Sequence, residues 1–291
     1  MVEATSAPAT APTLSIVVPV FNERDAAPGL AYEIEAAFTG QSVEILFVDD
    51  ASEDGTAEVL AALTPRPAAL RLLRHSRRAG QSRAIRTGVL AAKAEVIVTL
   101  DGDGQNVPAD APGLVRALEA GGPGLAMAAG VRVARQDSVS RRLAARLANA
   151  IRRRVLADGA SDTGCGLKAF RRSAFLALPF FDHMHRYLPA LMMREGFEVA
   201  FAPVSHRPRV AGRSKYTNLG RLGSALVDLG GVVWLKARAK DPGAIDSDFF
   251  SSLALGAGER DREAVEGANV GAPSPFNPPS GFAGSPPSGG R

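Results

Sequence analysis

Three apolar runs that each end in polar or acidic residues predict an α/β fold with a mainly parallel central sheet. The runs, at 14–18, 43–48 and 96–100, are short and rich in Val, Ile and Leu, as strands buried on both faces are. They lead into Asn22-Glu23, Asp49-Asp50 and Asp101-Gly102-Asp103. In a parallel sheet wound with helices, ligands gather outside the carboxyl ends of the strands, so these residues are expected to meet in one crevice.

Taken in order, Leu14-Ser15-Ile16-Val17-Val18 is stopped by Pro19 and followed by a polar turn. The second run delivers Asp49 and Asp50 and passes into Ala51-Ser52-Glu53-Asp54-Gly55-Thr56. Ala79-Gly80-Gln81-Ser82 then opens a helical stretch from Arg83 to Ala92, which suits either a phosphate-facing helix start or a plain cap. The third run ends in Asp101-Gly102-Asp103-Gly104-Gln105. In an extended segment residues two apart point to the same side, so Asp101 and Asp103 can aim four oxygens at one point and Gln105 can add an amide oxygen. That is a hard-cation site suited to Mg²⁺ or Mn²⁺. The same letters also form an ordinary Asp-Gly turn, and the neighbouring strand ends tip the reading towards the cation.

Between residues 132 and 154 eight arginines accompany a single acid, Asp137. Val139, Leu143, Leu147, Ile151 and Val155 recur every fourth residue, which predicts an amphipathic helix with a basic face. The segment carries no aromatic residues for base stacking, which argues against nucleic acid and leaves a solvated face or a surface for anionic lipid. Cys165, the single cysteine, excludes an internal disulfide and sits in the small-residue loop Asp162-Thr163-Gly164-Cys165-Gly166, where packing is the expected role. His183 and His185 alternate in Asp182-His183-Met184-His185-Arg186-Tyr187, placing one in the core and one near the site, with no catalytic role assigned to either.

The apolar segment 219–235 contains Asp228 and falls short of the roughly 20 residues of a spanning helix. With Trp234, Lys236, Arg238 and Lys240 it suits a helix at a membrane surface or one packed on the domain. Residues 1–12 are expected to be flexible. Residues 13–218 should form the main domain, 219–240 the amphipathic helix, and 241–291 a disordered linker and tail. Residues 271–291 hold six Pro, five Gly and four Ser, too few packing side chains to offset the entropy of ordering. The first 13 residues lack a basic start followed by an apolar run, so a place in the cytoplasm, peripheral on the membrane, is expected. At 291 residues and 46% hydrophobic content the chain can bury one full α/β core, and its net charge of +4 is modest.

Val18-Pro19-Val20-Phe21-Asn22-Glu23, Val48-Asp49-Asp50-Ala51-Ser52-Glu53-Asp54-Gly55-Thr56, Asp101-Gly102-Asp103-Gly104-Gln105 and Gly212-Arg213-Ser214-Lys215-Tyr216 follow one another at domain-scale spacing. In these motifs the chain resembles family 2 glycosyltransferases, and within them the dolichol-phosphate mannose synthase type, from about residue 13 to about residue 240. The resemblance implies a GT-A fold, a Rossmann-like nucleotide-diphospho-sugar transferase architecture. It implies that Pro19, Phe21, Glu23 and Asp50 line the base and ribose pocket, and that Arg209, Ser214 and Lys215 close over the diphosphate. Asp103 and Gln105 would be direct metal ligands, with Asp101 a ligand or a contact to the nucleotide. Arg132 and Arg141 would hold an acceptor phosphate, although Ala145 stands where the family often has a serine. The implied reaction is inverting transfer of a sugar from a nucleotide-sugar donor to a polyprenyl phosphate at the cytosolic membrane face. Mannose from GDP-mannose is the first expectation. The alternative donor is a UDP-sugar, glucose or an aminoarabinose derivative, with undecaprenyl phosphate as acceptor. An explanation of another class is a noncatalytic nucleotide-binding or membrane-scaffold protein, against which Asp101, Asp103, Gln105 and Lys215 argue.

Overall fold

The computed structural model describes residues 11–63, 70–133, 152–208 and 218–240. In chain order the elements are β1 (Leu14–Val20), α1 (Ala27–Ala37), β2 (Val43–Asp49), α2 (Thr56–Ala61), β3 (Leu70–Arg74), α3 (Gln81–Ala91), β4 (Val96–Thr99), α4 (Ala111–Ala120), β5 (Leu125–Arg132), β6 (Lys168–Arg171), α5 (Arg172–Ala177), α6 (Leu188–Arg194), β7 (Glu198–Val204) and α7 (Asn218–Arg238). Arg141, Arg209, Ser214 and Lys215 lie outside the described residues, as do residues 1–10 and the expected tail 241–291.

The strands form one sheet in the order β3-β2-β1-β4-β6-β5-β7. Strands β1 to β4 are mutually parallel and β7 is parallel to β5, whereas β6 is antiparallel to both β4 and β5. The α/β architecture with a mostly parallel sheet is as expected, with β6 the exception.

Alternation along the central strands splits the core in two. Ile16, Val18, Ile45 and Phe47 pack on one face of the sheet with Leu30, Ile34, Phe38 and Leu114. Val17, Leu46, Val48 and Ile97 pack on the other with Ile85, Val89, Phe170 and Leu191. Both faces are therefore covered, which is why these strands read as unbroken apolar runs. Val17 pairs with Thr99 and Val20 with Asp49, so β1, β2 and β4 release the chain at one edge. There a Cβ at Gly102 would stand 2.8 Å from the Pro19 carbonyl oxygen, so only glycine lets the acidic turn sit this close to the end of β1.

Helix α7 docks through one side and bares the other. Val232 is fully buried, the Tyr187 hydroxyl donates to the Ala225 carbonyl at 3.2 Å, and Arg194 Nε donates to the Leu235 carbonyl at 3.0 Å. Leu226, Val227 and Trp234 are 62%, 75% and 59% exposed. Of the helix expected across 139–155, residues 152–156 are described and helical, and they depart from the expected facing. Arg152 is buried, its guanidinium donating to both Asp158 oxygens at 2.7 and 3.0 Å and to the Ala160 carbonyl. Val155, assigned to the apolar stripe, is exposed and Leu156 is buried in its place. The acid that turns Arg152 inward lies beyond the helix, where helical periodicity carries no information.

Candidate active site

A cavity of about 660 Å³ opens at the carboxyl edge of β1, β2 and β4. It lies within the size range of small-molecule sites. Pro19, Phe21, Glu23, Asp50, Asp101, Asp103 and Gln105 all line it, so the structure brings these sequence-predicted residues together. Arg132 is not among the lining residues.

The end formed by β1 and β2 is built by cross-braced loops. The Asn22 amide donates to Ser52 Oγ at 2.9 Å, the Glu53 amide donates to Asn22 Oδ1 at 2.9 Å, and the Glu23 amide donates to Thr56 Oγ1 at 2.9 Å. Asp54 receives the Arg24 and Thr56 amides and the Thr56 hydroxyl. Although burial opposes its charge, these donors hold the Asp54 carboxyl below its ordinary range. Most of the acidic run after β2 is therefore scaffold for the turn after β1. Asp50 is buried and fully engaged. Its Oδ1 accepts from the Ala79 amide and pairs with His75 Nδ1, both at 2.8 Å, and its Oδ2 accepts from the Gly80 amide at 2.8 Å. Asp50 thus ties down the two residues that lead into α3. Arg78 lies over the Phe21 ring, 4.0 Å from its centroid.

At the centre, the Asp101 amide donates to Asn106 Oδ1 at 2.9 Å and Asp101 Oδ1 accepts from Gln81 Nε2 at 2.7 Å. Asp103 Oδ1 accepts from the Gln105 amide at 3.1 Å, which closes the turn through Gly104, a residue at φ 73°. Arg207 clamps the turn from behind, Nε donating to the Gly104 carbonyl and Nη2 to Glu33 Oε2. Burial first, and then the Asp103 charge, push the Asp101 carboxyl above its ordinary range against the pull of Lys168 and Arg132. Two carboxylates and a glutamine lining one cavity, with the Asp103 charge acting on Asp101, are a donor set that a hard divalent cation fits. Among the described residues no group of three or more His, Cys, Asp or Glu side chains could hold a metal ion. A cation here would complete its shell from substrate oxygens, as Mg²⁺ commonly does.

The far wall comes from the loop before β6 and the turn before α6. Asp162 takes Arg132 in two parallel bonds, Nε to Oδ2 at 2.6 Å and Nη2 to Oδ1 at 2.8 Å, and also receives the Gly164 amide. Burial disfavours the Arg132 cation, but the bond and charge of Asp162 outweigh it and raise the guanidinium further. Lys168 is buried in β6, donates from Nζ to the Cys165 carbonyl, and is lowered from its ordinary value chiefly by burial. Cys165 is packed as expected, its thiol raised by burial. His185 lines the cavity with Nδ1 hydrogen-bonded to Ser82 Oγ at 2.7 Å. Burial first, and then the charges of Lys168 and Arg186, hold its ring well below the ordinary value of 6.5, so it is neutral at pH 7. His183 faces away and pairs through Nδ1 with Asp228 of α7 at 2.9 Å.

Sequence reasoning gave Arg78, Lys168 and Arg186 no place in the site, offered Gln81 only as part of a helix start that could face phosphate, and put one of His183 and His185 near the site without a role. Lys168 carried a weak signal, a lysine beside the apolar Leu167 and Ala169-Phe170, whereas Arg78, His185 and Arg186 reach the cavity from turns that periodicity does not place.

Comparison with known proteins is consistent with this geometry. Dodecaprenyl-phosphate galacturonate synthase of Rhizobium johnstonii is 32% identical over 263 residues, covering 88% of this chain and 76% of that protein. Undecaprenyl-phosphate 4-deoxy-4-formamido-L-arabinose transferase of Edwardsiella ictaluri is 35% identical over 219 residues, covering 74% of this chain. The match spans 66% of that relative's length, just under two thirds. Among solved structures, glucosyl-3-phosphoglycerate synthase from Mycobacterium tuberculosis in complex with Mn²⁺, UDP-glucose and glycerol 3-phosphate superposes with a TM-score of 0.59 at 21% identity. That superposition covers 80% of this chain and 82% of the synthase, and it is a likeness of fold. The Glycosyl transferase family 2 model matches residues 15–178, a stretch holding the three strand-end motifs and the loop before β6, and the chain belongs to that family.

Proposed function

We propose that this chain transfers a sugar from a UDP-linked donor to the phosphate of a polyprenyl phosphate, with inversion at the anomeric carbon. The observation that carries the reading is the meeting of Asp101, Asp103 and Gln105 with Phe21, Glu23 and Asp50 around one cavity. An apolar ring at one end and hard oxygen donors at the centre suit a nucleotide diphospho-sugar. The relatives named for a formamido-arabinose and a galacturonate support the polyprenyl acceptor, and they favour the alternative donor of the sequence reading over GDP-mannose.

Negative charge grows on the departing diphosphate as the bond from sugar C1 to its oxygen breaks. A divalent cation held by Asp101, Asp103 and Gln105 would supply Lewis-acid stabilisation of that diphosphate. Gln81 and Asn106 fix Asp101 in place, and Arg207 fixes the turn that carries Asp103. A phosphate monoester, with a second pKa of about 6, is already anionic at neutral pH, so no general base is needed. Its oxygen forms the new bond to C1 on the side opposite the leaving group, and UDP departs.

Helix α7 fits the lipid nature of the acceptor. Its exposed Leu226, Val227, Val233 and Trp234 follow helical spacing and are succeeded by Lys236 and Arg238. Such a face lies in the headgroup region of a bilayer, which would place the protein peripherally on the cytoplasmic leaflet. Among the described residues no helix is long and apolar enough to cross a membrane.

The test is a panel of radiolabelled nucleotide sugars offered with polyprenyl phosphate and Mn²⁺. Label from a UDP-pentose or UDP-uronate entering the organic phase supports the reading. Label from GDP-mannose alone restores the mannose expectation, and none from any donor refutes transfer.

A further inference from the structure

The turn between the cavity and α7 contains a guanidinium without an assigned role. Arg78, Lys168 and Arg186 are the cations among the cavity-lining residues. Arg78 lies over the Phe21 ring and Lys168 Nζ donates to the Cys165 carbonyl. Arg132, to which the family resemblance gives the acceptor phosphate, is held in two bonds by Asp162 and is not among the residues that line the cavity. Arg186 meets no carboxylate among the described residues, and its charge bears on the adjacent His185 ring.

Its place in the fold is equally specific. Along the turn 183–187 the outer residues hold α7, His183 through Asp228 at 2.9 Å and Tyr187 through the Ala225 carbonyl at 3.2 Å. The inner residues His185 and Arg186 line the cavity. The same helix bares Leu226, Val227 and Trp234. A molecule with an apolar chain against α7 and an anionic head in the cavity must therefore bring that head past this turn.

We propose that Arg186 grips the phosphate monoester of the lipid acceptor and presents its oxygen to the donor sugar. This rests on the polyprenyl-phosphate reading above. A planar guanidinium can hold two phosphate oxygens at once, leaving the third for attack, whereas a lysine offers charge without the fork.

The test compares the wild type with Arg186→Gln and Arg186→Lys. Titration with citronellyl phosphate, a short prenyl monophosphate, and separately with UDP and Mn²⁺ measures the two sites without requiring turnover, and acceptor KM is read alongside. Arg186→Gln should weaken citronellyl phosphate binding and raise acceptor KM by about 10- to 100-fold, the worth of a charge-assisted hydrogen-bonded pair, with UDP affinity unchanged. Arg186→Lys should recover part of the loss. Unchanged prenyl phosphate affinity in Arg186→Gln, or a wild type that does not bind it, overturns the proposal. A parallel loss of UDP affinity also overturns it, moving Arg186 to the leaving diphosphate. A wild type that binds prenyl phosphate through Arg186 yet transfers no sugar refutes the transferase reading and leaves only the grip of Arg186 on the phosphate standing. Transfer with an acceptor KM indifferent to Arg186 does the reverse.

Discussion

Gly166 stands against the carboxyl group of Asp101 so closely that a Cβ at that position would overlap it. The Gly166 carbonyl is held by Thr99 Oγ1 at 2.8 Å, so the loop before β6 and the end of β4 are fixed to one another. The small-residue loop is thereby part of the acidic site, its back wall.

Gly166→Ala should displace Asp101 from its bond to Gln81. Overpacking of this kind costs about 1–3 kcal/mol, well within what a domain of this size tolerates. The expected outcome is a folded protein with a modest loss in denaturant midpoint and a large loss in turnover. Wild-type turnover in this variant would show that the position of Asp101 does not matter to the reaction.

Arg132 and Asp162 are 14% and 7% exposed at their side chains, so removing either leaves its partner charged and shut away from water. Arg132→Ala and Asp162→Ala should each destabilise the fold by roughly 3–5 kcal/mol, and the double variant by far less than the sum. Chemical denaturation of the cycle checks this. Additive single effects would mean that the pair is not coupled and would return Arg132 to the acceptor role that the resemblance implies.

His185 gives the fold a pH dependence of known sign. Its folded pKa lies well below the ordinary 6.5, so below that pH the unfolded chain binds a proton that the folded one refuses. The stability it contributes is complete above pH 6.5 and falls as pH drops below that value. His185→Gln, which keeps a hydrogen-bonding group beside Ser82, should flatten the stability profile between about pH 5 and 6.5. An unchanged slope would assign the acid sensitivity elsewhere.

The central strands were legible because each is covered on both faces and so spells an unbroken apolar run, and the carboxylates after them fall where the register of β1, β2 and β4 puts them. Asp50 was legible as a cavity residue but not as the anchor of the 75–80 loop, since its partners His75, Ala79 and Gly80 come from 25 to 30 residues away and are mostly backbone amides. The inward turn of Arg152 depends on Asp158, and the capture of Arg132 depends on Asp162 across 30 residues. Both are pairings made by tertiary packing, so the arginine-rich stretch read as more uniformly exposed than it is. His185 and Arg186 belong to a turn whose direction is set by α7 and α3 together, and no local pattern encodes that.

The most direct measurement of the central claim is transfer by Asp103→Asn beside the wild type, with Mn²⁺ and an excess of UDP-sugar and polyprenyl phosphate. An asparagine oxygen can still accept the Gln105 amide that closes the turn, so the fold and its melting temperature should be retained. Only the charge facing the diphosphate is lost, and turnover should fall on the order of 100-fold. A chelator should abolish the wild-type rate, and added Mn²⁺ should restore it. Full turnover by Asp103→Asn, or by the wild type in excess chelator, would contradict the assignment of Asp101, Asp103 and Gln105 to the metal and diphosphate.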